Sequence, residues 1–222
     1  MTNLYQQLET PAPPDLPSPG QVYDERLTAQ THRGLLVYFR KLTNILSSII
    51  GPRGGKYLNL PYGAFEDTGD QTATAATATV MTFNTTDFSN GVTLVTSGGK
   101  ASRITVSQAG IYSLQWSGQF ENTDSQDHDA NVWISINGTD VVGSNGLIAI
   151  PSKHGIVNGH TIAGWNYFIK LNANDYVELY WSIDSTTVTL QHYAAGTSPT
   201  RPSTASLIAT LSYVSNLSAE TA

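Results

Sequence analysis

The chain has 222 residues and a formal net charge of −6, and only 13% of its residues are charged. That balance excludes the concentrated Lys and Arg of a phosphate-binding surface, and with it a nucleic-acid partner. Zero cysteines exclude disulfides and thiolate metal sites. No apolar run reaches the ~18 to 20 residues of a membrane span, and the start lacks the pattern of a secretion signal, so synthesis in a cytoplasm and no membrane partner are expected.

Residues 1–22 form the first expected segment. Pro11, Pro13, Pro14, Pro17 and Pro19 crowd the stretch "ETPAPPDLPSPG". Each fixes φ and removes a backbone donor, which predicts an extended arm. Such an arm is either a flexible tail or a pre-extended strap for another protein's surface.

Residues 23–56 read as a helix and linker. Asp24 is a suitable N-cap, and Gly51-Pro52 a suitable stop. Thr28, His32, Leu35, Phe39, Leu42, Leu46 and Ile49 alternate by four and three, the spacing of a heptad seam. Arg26, Arg33 and Arg40 recur every seven residues as a basic stripe on another face. Gly34 weakens the helix by about 1 kcal/mol relative to Ala. Two uses remain open for the apolar face: packing on the chain's own domain, or association with a second copy or a partner's groove.

From residue 57 to 215 the pattern is β. "TATVMTF" (Thr77 to Phe83) predicts a strand, "NTTDFSNG" a turn, and "GVTLVT" and "SRITV" a hairpin around "SGGK". In "QAGIYSLQWSGQF", Tyr112, Leu114, Trp116 and Phe120 alternate with Ser113, Gln115, Ser117 and Gln119. One face is apolar; the other is small, polar and uncharged, unlike an ordinary solvent-facing strand. Val132, Ile134 and Ile136 alternate up to Asn137-Gly138, a hairpin signal because both turn residues need positive φ. Trp133 falls out of phase with them and should point away from the core, to stack on a sugar or line a subunit interface. Trp116, Trp165 and Trp181 are expected in the core. "AGWNYFIKLNANDYVELYWSI", "TVTLQHY" and "SLIATLSYV" supply the last strands, and residues 216–222 a tail. About eight to ten short strands without intervening helices predict an all-β sandwich or jelly roll.

Chemistry-bearing motifs are sparse. "VGSNG" lacks the spacing of a nucleophile elbow, and the strand carboxylate Glu178 has no evident second carboxylate. Asp124, Asp127, His128 and Asp129 gather oxygens that suit Ca²⁺, but without the EF-hand pattern the solvated loop is favoured. His154 and His160 do not match zinc spacing. The expectation is a non-enzyme with no cofactor and no metal.

Several of these segments, taken in order, resemble the C1q/TNF-like jelly roll. "AGIYSLQW" is similar to that family's Gly-x-Tyr strand, and "VWISINGTDV" to the strand ending in an Asn-Gly turn. "LNANDYVELYW" and "PSTASLIATLSYV" match its last strands, so the resemblance covers roughly Tyr57 to Ser215. "LPYGAFEDTGDQTA" and "FNTTDFSNGV" resemble the form of this module in virion proteins of tailed bacteriophages. The resemblance implies a homotrimer without catalysis, and it places Ser113, Gln115, Ser117 and Gln119, with Trp133 as a further candidate, at the subunit contact. The chain lacks the collagen-like stalk and cysteines of animal members, whose receptor and immune roles do not carry over.

The functional expectation is a trimeric capsid decoration or cement protein on the virion exterior. Residues 1–56 would grip the major capsid protein through the prolines, the arginine stripe and Leu35, Phe39, Leu42, Leu46 and Ile49, three anchors acting together. The alternative is a receptor-binding head- or tail-fibre module recognising a host surface glycan.

Overall fold

The computed structural model describes residues 14–16, 18, 24–50 and 60–217, with side chains of 48–50 left aside. The chain divides into two compact units, Met1–Asn59 and Leu60–Ala222.

In the first unit, helix α1 spans Glu25–Ile50. Asp24 caps it: its Oδ1 accepts from the Arg26 amide at 2.8 Å and the Leu27 amide at 3.4 Å. The half-buried face comprises Leu27, Thr28, Thr31, Gly34, Leu35, Tyr38, Leu42 and Ile45. Only Thr28, Leu35 and Leu42 of the expected seam lie on it, whereas His32, Phe39 and Leu46 are exposed. The covered stripe instead follows Leu27, Thr31, Gly34, Tyr38 and Ile45, to one side of the seam throughout, because the neighbours that cover a helix, and not its own spacing, decide which face is hidden. Pro14 and Leu16 reach the same face at Gly34, where a Cβ would stand 3.4 Å from a Leu16 methyl. Arg26, Arg33 and Arg40 are all exposed.

The second unit is an antiparallel sandwich. Its strands are β1 (Tyr62–Asp67), β2 (Thr79–Val80), β3 (Thr85–Asn90), β4 (Val92–Ser97), β5 (Lys100–Val106), β6 (Gly110–Asn122), β7 (His128–Ile136), β8 (Thr139–Asp140), β9 (Gly146–Ile150), β10 (Gly159–Leu171), β11 (Tyr176–Ile183), β12 (Val188–Leu190), β13 (Gly196–Thr197), β14 (Thr200–Arg201) and β15 (Leu207–Ser215). One sheet has the order β10-β6-β15-β1-β3, with β12 also on β6. The other runs β4-β5-β11-β7-β8, with β2 on β11 and β9 on β7. Between the sheets lies one apolar cluster in which Tyr112, Leu114, Phe120, Ile134, Leu179 and Trp181 are fully buried. Trp116 is buried too, and Trp165 stacks on it at 5.1 Å.

Turn chemistry follows the sequence closely. Asn137 and Gly138 have φ of 51° and 79°, as a two-residue hairpin demands. Gly98 and Gly99 turn the β4–β5 hairpin with φ of 58° and 79°. Two segments differ from expectation. Asn84–Gly91, expected as a turn, carries the edge strand β3, whose residues are exposed or half-buried and so show no alternation to read. Thr77–Phe83 contributes only the short β2, although Met81 and Phe83 are buried and donate backbone hydrogen bonds to Leu179 and Ala101.

Candidate functional site

The longest register in the molecule builds the first candidate. Strands β6 and β10 pair over thirteen residues, from Gly159↔Asn122 to Leu171↔Gly110, and β15 flanks β6 on its other side. Since side chains alternate, Ser113, Gln115, Ser117 and Gln119 share the face away from the core. Their cross-strand neighbours on β10 are Phe168, Asn166, Gly164 and Ile162 in that order. On β15, Ser212, Thr210 and Ile208 sit beside Ser113, Gln115 and Ser117. Ile162 is 72% exposed and Phe168 68% exposed. On these three strands charge enters the outward face only at its ends, through Glu121 and His160 at one and Lys170 at the other. The result is a surface of neutral polar groups on which Ile162, Phe168 and Ile208 stand exposed, with Ile111 half-buried at the Lys170 end.

Sequence reasoning found the four polar residues but missed Ile162, Phe168 and Ile208. The signal was available: in "HTIAGWNYFIK" both phases of the alternation carry apolar residues, which leaves one set facing outward. Trp133 does not belong to this face. It stands on the outer side of the opposite sheet, paired with Tyr180 of β11. A single flat contact through the β6 face therefore does not include it.

At the end of that face, the Tyr193 hydroxyl donates to Glu121 Oε2 and lies 3.0 Å from His160 Nδ1. Burial, then the hydrogen bond to Glu121, push the Tyr193 phenol well above its ordinary range. A neutral phenol held on a carboxylate pins the chain after β12 to the sheet.

The Asp-rich loop is organised around an imidazole. His128 Nε2 is 3.0 Å from Asp124 Oδ2, and its Nδ1 is 3.1 Å from Asp184 Oδ1. Asp127 is engaged separately, accepting from the Ser152 amide at 2.7 Å. Among the described residues, no group of three or more His, Cys, Asp or Glu side chains is arranged to hold a metal ion. Glu178, without an evident carboxylate partner in the sequence, accepts from Ser102 Oγ at 2.7 Å and sits 3.4 Å from Arg103 Nε. Arg103 in turn lies over the Tyr176 ring at 4.1 Å. That pairing joins β5 to β11 rather than facing a cleft.

In the first unit, Leu36, Val37, Phe39 and Leu46 are exposed on the helix along with the three arginines. Pro14 lies against the helix beside Gly34. Pro11, Pro13, Pro17 and Pro19, the side chain of Ile49, and Gly51-Pro52 lie outside the described residues. No helix among the described residues is long and apolar enough to cross a membrane.

Comparison with protein-family models and with curated proteins finds no match for this chain.

Proposed function

We propose that the chain is a trimeric structural protein of a virion, a capsid decoration protein whose β-unit is a C1q/TNF-like jelly roll. The carrying observation is the outer face of β6, β10 and β15, neutral between its charged ends, with Ile162, Phe168 and Ile208 exposed among small polar groups. Apolar side chains at that exposure lose free energy to water, and covering them with a second and third copy recovers it. Ser113, Gln115, Ser117 and Gln119 then hydrogen-bond across the contact without the cost of burying charge.

Strand order supports the jelly roll. Successive long strands β5, β6, β7, β10, β11 and β15 alternate between the two sheets. That alternation is what a folded-over double Greek key produces. The first unit supports attachment, since α1 presents exposed Leu36, Phe39 and Leu46 together with Arg26, Arg33 and Arg40. Its partner in this reading is the outer surface of the major capsid protein, and no catalytic step is involved. A second reading, a receptor-binding fibre module, draws on one observation, the aromatic cleft at Trp133.

Copy number separates the two. Decoration predicts on the order of hundreds of copies per particle, a fibre roughly a few tens or fewer. Quantitative mass spectrometry of purified particles against the major capsid protein measures it, and the low count overturns the decoration reading.

A further inference from the structure

The outer side of the second sheet carries a cleft that the assembly reading does not use. Strands β7 and β11 run side by side there, with Trp133 opposite Tyr180 and Asn131 opposite Ser182. The chain from Asp140 to Asn145, which follows the Asn137-Gly138 turn, rises beside them. Together they line a shallow depression of about 380 Å³. Its floor and walls include Asn131, Trp133, Asp140, Asn145 and Ser182.

The aromatic side chain in it is fixed in place. Trp133 Nε1–H donates to Asp140 Oδ1 at 3.0 Å, and the indole packs nearly parallel to Tyr180, 5.8 Å between centroids and 20° between planes. Asn145 Nδ2 donates to Asn131 Oδ1 at 3.0 Å, which holds both amides. After those bonds the cleft still offers Asn131 Nδ2 as a donor, Asn145 Oδ1 and Asp140 Oδ2 as acceptors, and Ser182 Oγ as either. A rigid indole edged by preset donors and acceptors costs little entropy to bind against.

These groups define the ligand's chemistry. A purely apolar ligand would cover four polar groups without pairing them, which carries a desolvation cost for each. A phosphate, sulfate or carboxylate would meet Asp140 with no Lys or Arg in the lining. A neutral pyranose fits both halves, because its chair has an apolar C–H face to lie on the indole and a rim of hydroxyls that donate and accept. We propose that the Trp133 cleft binds a neutral pyranose residue of a glycan, stacked on the indole and held by Asn131, Asn145, Asp140 and Ser182. The proposal stands equally for a capsid-bound and a fibre-borne chain. In a trimer closed through the opposite sheet, three such clefts would face outward and act together.

Saturation-transfer NMR on the full chain tests it, with methyl pyranosides of galactose, glucose, mannose and N-acetylglucosamine and with N-acetylneuraminic acid as the acidic probe. At least one neutral glycoside should receive saturation on its ring C–H protons, with affinity unchanged from about 50 to about 500 mM salt, because no charge pairing is involved. Trp133→Ala should abolish the transfer. Asn131→Ala, a surface change, should weaken affinity by roughly tenfold while leaving the melting temperature in place, and it decides the matter if Trp133→Ala does not fold. Absence of transfer from all four neutral glycosides, full affinity in Asn131→Ala, persistence in a folded Trp133→Ala, or equal binding of N-acetylneuraminic acid overturns the assignment.

Discussion

His128 shows how one residue can answer a question that the sequence leaves open. The four acid or imidazole groups in "DSQDHDAN" read as a solvated loop in preference to a cation site, with nothing local to say what holds them. What organises them is Asp184, at the end of β11 and 56 positions away, which no local pattern reveals. Hydrogen bonding to Asp124, reinforced by Asp184 and opposed by burial, raises the His128 pKa above its ordinary 6.5. The Asp124 carboxyl is lowered below 3.8, first by His128 and then by the Ser125 amide. The raised imidazole contributes stability that is complete below pH 6.5 and fades as pH rises through its folded value. The lowered carboxyl contributes stability present above 3.8 and lost on further acidification. The clamp is therefore strongest between those limits. His128→Gln should lower the melting temperature at pH 6 by a few degrees at most, since Asp124 and Asp184 are 37% and 50% exposed and screened. At pH 8.5 the gap should shrink; parallel melting profiles across that range would exclude the clamp.

At the scale of elements, legibility followed burial. β6, β7, β10 and β11 each have one face in the core, so period two marks them and their turns almost to the residue. β3 has no buried residue, and its polar run looked like a turn for that reason. For α1 the cap and exposed arginines were readable, but the width of its covered face depends on tertiary neighbours such as Leu16. The β6 face sits between these cases. Its neutrality was visible, whereas the apolar neighbours Ile162 and Ile208 come from strands about 40 and 90 residues downstream, brought alongside only by the sheet. Gln115→Glu probes that face directly, because Gln115 is exposed and flanked by Asn166 and Thr210, so the change costs the folded monomer little. In a trimer closed through this face it places three like charges near one axis and should weaken association by roughly tenfold or more. Analytical ultracentrifugation reads the shift toward monomer. A variant that stays wholly trimeric at low concentration leaves the face as ordinary solvent-exposed surface.

For the whole molecule the division at Asn59 and Leu60 carries a sharp consequence. Among the described residues, every buried apolar side chain falls at or after Ala64, and the core cluster draws on both sheets but not on α1. The cost of ordering the β-unit is thus met by contacts made within it. Removing residues 1–50 should leave the melting temperature within about 2 °C of the full chain, because a larger shift needs about 1 kcal/mol of lost contacts. The proposed trimer face and the Trp133 cleft both lie in the retained part, so self-association and sugar binding should persist. Under the decoration proposal capsid binding should not, since the exposed apolar and arginine side chains of α1 leave with the deleted segment. Co-sedimentation of the truncated chain with particles stripped of the protein makes the comparison. If the truncated chain still decorates them, the anchor lies on the β-unit, and residues 1–50 have a different partner. If it folds, associates and binds sugar but no longer sediments with particles, attachment and display belong to separate parts of one chain.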